Sequence, residues 1–164
     1  MIEVRAASLD DEQWLTALDL RVWAPDVTPG PPRSAETRFF ARAEPKDVFI
    51  AMRRSESAGY VALGHPTALA ANRHVLQITG LAVDPDCQRQ GVGRRLVAAA
   101  VAEASRRGAI RLTLHVLGAN EAARSLYADS GFHIEGILRG EFRLNGAYVD
   151  DVLMARAVPE PGGA

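Results

Sequence analysis

The stretch LAVDPDCQRQGVGRRL, residues 81–96, joins an apolar strand to an amphipathic helix through a turn that contains glycine. The strand ends near Val83 because Pro85 stops it, and Gly108 is placed to end the helix. Free N–H groups at a helix start bind anions, and glycine lets a phosphate approach the backbone closely. The turn is therefore a candidate phosphate site, with a tight connection that binds nothing as the alternative. Local positive charge comes from Arg89, Arg94 and Arg95.

The rest of the chain alternates short strands with a few helices. Apolar residues at every second position predict strands, and apolar residues three and four apart predict helices. Strands are expected over residues 2–6, 47–53, 59–64, 74–83, 110–117, 132–144 and 147–157, and helices over 9–23, 35–43, 91–107 and 120–130. Ser34 is the expected N-cap of the second helix, and Asn145-Gly146 predicts a hairpin turn.

Composition excludes several classes of protein. Of the 19 basic residues 18 are arginine, and Lys46, outside any glycine-rich loop, leaves no lysine for a nucleotide-binding P-loop. Cys87 is the only cysteine, so neither an internal disulfide nor a cysteine-rich metal site is expected. A net charge of -1 argues against a nucleic-acid partner. Without a signal-like or membrane-spanning run, a cytoplasmic protein is expected.

Two motifs lie in the second half of the chain. Residues 88–93 read QRQGVG, and a second pattern contains Asn120, Ala123, Leu126-Tyr127 and Gly131-Phe132. Together they resemble the GNAT superfamily of N-acetyltransferases, whose signatures are Q/R-x-x-G-x-G/A and N-x-x-A-x-x-L-Y-x-x-x-G-F. The resemblance implies a single α/β (α+β) domain over residues 1–158, followed by a flexible tail over 159–164. Its sheet would be mixed and mostly antiparallel, with about seven strands, one splayed pair and about four flanking helices.

The resemblance also implies an acyl donor, acetyl-coenzyme A, and no metal. Pantetheine would contact the backbone of Leu81, Ala82 and Val83, where an N–H would polarise the thioester carbonyl, although a plain core strand is the alternative. The pyrophosphate would lie over the turn formed by Gln88, Arg89, Gln90, Gly91, Val92, Gly93 and Arg94. Gly80 fits a bulge or a close backbone approach beside this strand.

The second motif supplies the expected catalytic acid. By resemblance, Tyr127 protonates the departing thiolate, Asn120 contacts the cofactor or orders a nearby water, and Ala123 contacts the cofactor. The alternatives are an N-cap for Asn120 and a core position for Tyr127. An unperturbed phenol has a pKa of about 10, close to that of an alkyl thiol, so the proton transfer is chemically reasonable.

The general base is open at this point. Several relatives carry a glutamate on the strand before the cofactor turn, whereas this strand reads HVLQIT over residues 74–79, in which Gln77 could only orient a water. The remaining candidates are His65, His74, His115, Glu141, Asp150 and Asp151. His115 is expected to be solvent-exposed, and the two aspartates to pair with Arg139 or Arg143.

The predicted activity is acetyl transfer to a primary amine, of a small molecule or of a peptide N-terminus, by direct attack in a ternary complex. Cys87 lacks an adjacent base and is a poor nucleophile for a covalent route. A non-catalytic acyl-coenzyme A sensor on the same fold is the alternative. No membrane partner is expected, and a homodimer is left open. Loops that could select the acceptor lie at residues 24–32, 65–72 and 140–151.

Overall fold

The protein is described by a computed structural model that covers residues 1–25, 28–34 and 36–160. This part of the chain forms seven strands and three α-helices. The strands are β1 (Ile2–Ala6), β2 (Val48–Arg53), β3 (Glu56–Gly64), β4 (Val75–Val83), β5 (Arg111–Leu117), β6 (His133–Leu144) and β7 (Ala147–Ala157). The helices are α1 (Glu12–Val22), α2 (Val92–Arg106) and α3 (Glu121–Asp129). None of the described helices is long and apolar enough to cross a bilayer.

The strands form one mixed sheet in the order β1-β2-β3-β4-β5-β7-β6. Only β4 and β5 are parallel; the other neighbours are antiparallel. Pairing between β4 and β5 runs from Val75 opposite Arg111 to Ile78 opposite Leu114 and then stops. Beyond this point the two strands diverge, which is the splayed pair that the family resemblance implies.

A bulge bends β4 at the place where it leaves β5. Gly80 lies opposite Ala62 on β3, but Ile78 lies opposite Leu63, so Thr79 is an extra residue on β4. A bulge of this kind turns a strand away from its neighbour. The glycine that the sequence suggested for a bulge is therefore next to the inserted residue.

Apolar clusters cover both faces of the sheet. The larger one joins the sheet to α2 and α3 and includes Leu96, Leu114 and Tyr127. The smaller one joins the other face to α1 and includes Leu18 and Tyr60. Alternation along β3 and β4 sends side chains of each strand to both clusters, so these two strands are apolar on both faces over part of their length.

The helix predicted over 35–43 is wrong for the residues of that range that the structure describes. Only a short 3-10 turn, Phe39–Ala41, is present, so the described chain has three α-helices and not about four. The backbone N–H groups of Phe39 and Phe40 donate to the carboxylate of Glu12. Because Phe39 is also buried against Tyr60, tertiary contacts outweigh local helix propensity here.

At the other end of the chain, the β6–β7 hairpin has the predicted turn. Asn145 and Gly146 both adopt positive φ, 51° and 84°, as a two-residue hairpin turn requires. Of the tail expected over 159–164, Pro159 and Glu160 lie outside any helix or strand, and residues 161–164 lie outside the described residues.

Candidate active site

The divergence of β4 and β5 opens a cleft of about 520 Å³. One wall is β4 from Ile78 to Leu81, and the opposite wall is the end of β5 with the face of α3. Because β4 has no strand partner on this side beyond Ile78, part of its backbone is available to a ligand. The side chains in the cleft that can take part in proton transfer are those of His115, Tyr127 and Asp151.

The turn before α2 has the geometry of an anion site. Gly91, the N-cap residue, has φ of 85°, and Arg89 has φ of 58°. The N–H groups of the first helical turn, Val92, Gly93 and Arg94, have no acceptor inside the helix. Arg95 is the first residue here whose N–H donates to the backbone, at 3.1 Å from the Gly91 carbonyl oxygen. The exposed turn thus offers several backbone donors that have no partner in the described part of the chain, at the positive end of a helix dipole.

Other residues of the turn have structural contacts. Two glutamines stabilise the turn. The side-chain amide of Gln88 donates a hydrogen bond to the Val83 carbonyl at 3.4 Å, and that of Gln90 donates one to the Asp86 carbonyl at 3.0 Å. A Cβ on Gly93 would lie 3.0 Å from a methyl of Leu126, so this glycine allows α2 to pack closely on α3. Arg95 donates to the carbonyl of Ile2 at 3.3 Å, which directs its guanidinium to β1.

Helix α3 presents Asn120, Ala123 and Tyr127 to the cleft. Asn120 is the N-cap, and its side-chain oxygen accepts a hydrogen bond from the Ala123 N–H at 3.1 Å. Its amide nitrogen makes no hydrogen bond within the described part of the chain. Capping and ligand contact are therefore compatible at this residue, because they use different atoms of one side chain.

Tyr127 is buried in the last turn of α3, where its ring packs edge-on against Phe132. Burial raises the pKa of its phenol to about 12. The protonated form is therefore favoured throughout the neutral range, as a proton donor requires.

A histidine and an aspartate form a hydrogen-bonded pair in the same cleft. Nδ1 of His115 on β5 lies 2.6 Å from Oδ2 of Asp151 on β7. Asp151 is only 5% exposed, whereas the His115 side chain is 49% exposed. The buried carboxylate fixes the ring, and Nε2 is the nitrogen left to meet a substrate proton. The prediction that His115 is exposed is confirmed. The prediction that Asp151 pairs with an arginine is wrong, because its partner is His115.

The other candidate bases lie outside the described lining of this cleft. Nδ1 of His65 is 3.0 Å from the Val75 carbonyl oxygen, and His74 precedes β4. Asp150 forms an ion pair with Arg139 at 2.6 Å, which is one of the two arginines expected as its partner. Its carboxylate also accepts a hydrogen bond from the Gly140 N–H. Glu141 is exposed on β6.

A second cavity, of about 300 Å³, lies on the α1 side of β4. Thr79, Gly80 and Leu81 line both this cavity and the cleft. The predicted cofactor residue Ala82 lies in this cavity and in the smaller apolar cluster, and Val83 packs on the larger cluster. Their predicted contact with a cofactor is through the backbone and stays a prediction.

Sequence reasoning missed this cavity and the pairing of His115 with Asp151. The signal for His115 was its position on the polar face of β5, but its partner depends on which strand lies beside β5. The cavity brings together Asp19, Arg33, Arg42 and Tyr60 from separate parts of the chain. No spacing in the sequence connects these four residues.

Comparison with known proteins adds a family and a set of relatives. Residues 13–132 match the model described as the acetyltransferase (GNAT) family. A [ribosomal protein bS18]-alanine N-acetyltransferase of Escherichia coli is 37% identical over 95 residues, which are 56% of this chain. That aligned segment spans 64% of the relative's own length.

Solved structures extend the similarity over nearly the whole chain. The Escherichia coli ribosomal-protein-S18-alanine N-acetyltransferase has a TM-score of 0.74 at 25% identity, covering 99% of this chain and 97% of its own. A phosphinothricin acetyltransferase from Sinorhizobium meliloti, solved in complex with AcCoA, has a TM-score of 0.85 at 18% identity, covering 99% and 91%. At that identity the second similarity shows the fold alone.

Proposed function

The chain belongs to the acetyltransferase (GNAT) family, and on that premise we propose that it is an N-acetyltransferase that moves an acetyl group from acetyl-coenzyme A to a primary amine. The observation that carries the proposal is one cleft lined by both a protonated phenol, Tyr127, and a histidine oriented by a buried carboxylate. Acid and base together are what transfer to an amine requires.

The chain's own features fit the donor. The diverging strands leave the β4 edge open to an extended group, and the cleft leads past α3. The unpaired amides at the start of α2 and the exposed Arg89 and Arg94 suit phosphate groups. When bound, acetyl-coenzyme A supplies the acetyl group as a thioester, with sulfur as the leaving atom.

His115 is proposed as the general base. Nε2 accepts the proton that the amine nitrogen loses as it bonds to the acetyl carbon. Asp151 accepts the Nδ1–H hydrogen bond, holds the tautomer with Nε2 unprotonated, and stabilises the positive ring that results. Asp151 is thus a positioning residue, and His115 is the residue that meets the acceptor.

Tyr127 is proposed as the general acid. Its phenol donates a proton to the sulfur as the carbon–sulfur bond breaks. Burial keeps the phenol protonated at neutral pH and also makes it a weaker acid than a free phenol, so the transfer relies on the negative charge that develops on the sulfur. Cys87 lies in the turn Pro85–Cys87 and packs against the larger apolar cluster, outside the described cleft lining. This placement supports direct attack by the amine over a route through a cysteine.

A thiol-release assay with acetyl-coenzyme A tests the proposal. The acceptors should include amino acids, other small amines and peptides with free N-termini, since relatives are named for a protein alanine and for phosphinothricin. We expect turnover with at least one class and none without an amine. Tight binding of acetyl-coenzyme A by calorimetry, with no release for any amine, would instead support a non-catalytic acyl-coenzyme A sensor.

A further inference from the structure

The cavity on the α1 side of β4 holds a cluster of charged and aromatic side chains. The Tyr60 hydroxyl donates a hydrogen bond to Oδ1 of Asp19 at 2.7 Å, and the Arg42 guanidinium donates one to Oδ2 of the same carboxylate. The Arg42 guanidinium also lies over the ring of Phe39, 4.4 Å from its centroid. Asp19 therefore has partners on both oxygens and acts to hold Arg42 in place.

Positive charge is in excess among the described residues of this cavity. Asp19 carries one negative charge, and Arg33 and Arg42 carry one positive charge each. Arg33 approaches Asp19 only to 3.9 Å and makes no hydrogen bond to any described residue, and Arg42 uses one of its nitrogens. Among the described residues most of the guanidinium N–H groups therefore have no acceptor, in a site whose arginine side chains are only 31% exposed. Such groups suit an anion.

The cavity and the cleft share the β4 bulge as part of their walls. Thr79, Gly80 and Leu81 line both, and a Cβ on Gly80 would lie 3.5 Å from the Tyr60 ring. Glycine at this position leaves the space beside the Tyr60 ring free of a side chain. An acceptor with its anion in the cavity then lies against the same β4 residues that line the cleft.

We propose that Arg33 and Arg42 bind the carboxylate of the acceptor, so that the substrate class is a small amine that also carries a carboxylate, such as a free amino acid. The inference rests on the proposed function and names its acceptor. A cavity of about 300 Å³ is at the lower end of small-molecule sites and suits a molecule of amino-acid size. The excess positive charge matches an acceptor whose amine is neutral when it attacks and whose carboxylate is ionised.

Matched acceptors test the inference. Initial rates of thiol release are measured for free amino acids and for the carboxamide of each one, which keeps the amine and side chain but removes the charge. We expect kcat/KM at least about tenfold higher for the acid than for the amide, mainly through KM, because charge-assisted hydrogen bonds are lost. Peptides with an uncharged second residue should behave like the amides.

Variants assign the discrimination to the cavity. Arg33→Gln should lower the acid-to-amide ratio to within about threefold of unity, chiefly through KM for the acid. Arg42→Lys keeps the positive charge but replaces the planar guanidinium, with its several N–H donors, by a single ammonium group. The acid-to-amide ratio should therefore fall, but less than in Arg33→Gln. Arg38→Gln is the control, because that side chain is 74% exposed and lies outside the described cavity lining, so its ratio should equal that of the unmodified protein.

The outcomes separate this inference from the function on which it rests. Equal rates for acids and amides, faster acetylation of uncharged peptides, or a ratio unchanged in both cavity variants would overturn the carboxylate site while leaving the acetyltransferase intact. Absence of thiol release with every amine would overturn the proposed function and, with it, the acceptor class. Thermal unfolding of each variant shows that its fold is retained.

Discussion

Replacing Asp151 by asparagine isolates the effect of its charge on His115. The side chain is 5% exposed and its Oδ2 lies 2.6 Å from Nδ1 of the histidine, so an amide of nearly equal volume fits the same space. The ring becomes positive when it accepts the amine proton. With the aspartate both partners of the hydrogen bond are then charged, whereas the asparagine is neutral. Such bonds contribute about 1.5–3 kcal/mol. At about 1.36 kcal/mol per tenfold change, kcat should fall about 10- to 150-fold.

The assay is the initial rate of thiol release at saturating acetyl-coenzyme A, with the acceptor concentration varied. KM for acetyl-coenzyme A should change less than about twofold, because Asp151 acts on the proton and not on donor binding. Asp150→Asn is the matched control: it is the neighbouring aspartate, it pairs with Arg139, and it lies outside the described cleft lining. Its kcat should change less than about twofold, since exposed ion pairs contribute little.

A double-variant cycle distinguishes action through His115 from general damage. His115→Gln alone should reduce kcat by about 100-fold or more. If the two residues act as a unit, adding Asp151→Asn to His115→Gln causes little further loss. Two results would refute the claim that Asp151 acts through His115 as the general base. One is a loss of kcat that is fully additive in the double variant, and the other is an unchanged kcat in Asp151→Asn with the fold intact.

Three other perturbations address the acid, the turn and the stability. Tyr127→Phe should lower kcat about 100-fold or more while the calorimetric Kd for acetyl-coenzyme A stays within about threefold; an unchanged kcat would exclude it as the acid. Gly91→Val places a branched residue at φ of 85° and should raise that Kd about tenfold, and an unaltered Kd would count against a phosphate site at the turn. Asp11→Asn tests an ion pair: the hydrogen bond from Arg5 lowers the pKa of Asp11 from 3.8 to about 2, so its stabilisation is present above pH 4 and is lost as the pH falls through 2. The variant should be about 1 kcal/mol less stable at pH 7 by urea unfolding, with a gap that closes near pH 2; a constant gap would contradict the assignment.

Much of the fold was predictable because local patterns and tertiary packing agree over most of the chain. The strand predicted over 74–83 is Val75–Val83, and the helix predicted over 91–107 is Val92–Arg106. In α2 the apolar stripe with period 3.6 is the face that packs on the sheet, so periodicity alone identifies it. The helix expected over 35–43 failed because Glu12, more than twenty residues earlier, takes the amides of Phe39 and Phe40.

The candidate site was predictable only where its residues follow one another along the chain. The turn before α2 and the face of α3 are each continuous segments, and their motifs identify them. The partner of His115 depends on the strand order, in which β7 and not β6 lies beside β5. In that register His115 is opposite Leu153 and Leu117 is opposite Asp151, so the histidine and the aspartate are diagonal neighbours. No local pattern encodes a register between strands about thirty residues apart.

The proposed acid and base reach the cleft from opposite faces of the sheet. Leu114 and Val116 of β5 pack in the larger cluster with Tyr127, so alternation directs His115 to the other face. In a sheet with every strand paired, the two side chains would be separated by the backbone. They share a cleft only because β4 and β5 diverge after Ile78. In the proposed reaction a donor on the α3 side and an amine on the α1 side meet between the strands, with the proposed proton acceptor on the amine's side and the proposed proton donor on the sulfur's side. This arrangement favours direct transfer, because both substrates can be present at once without competing for the same entrance.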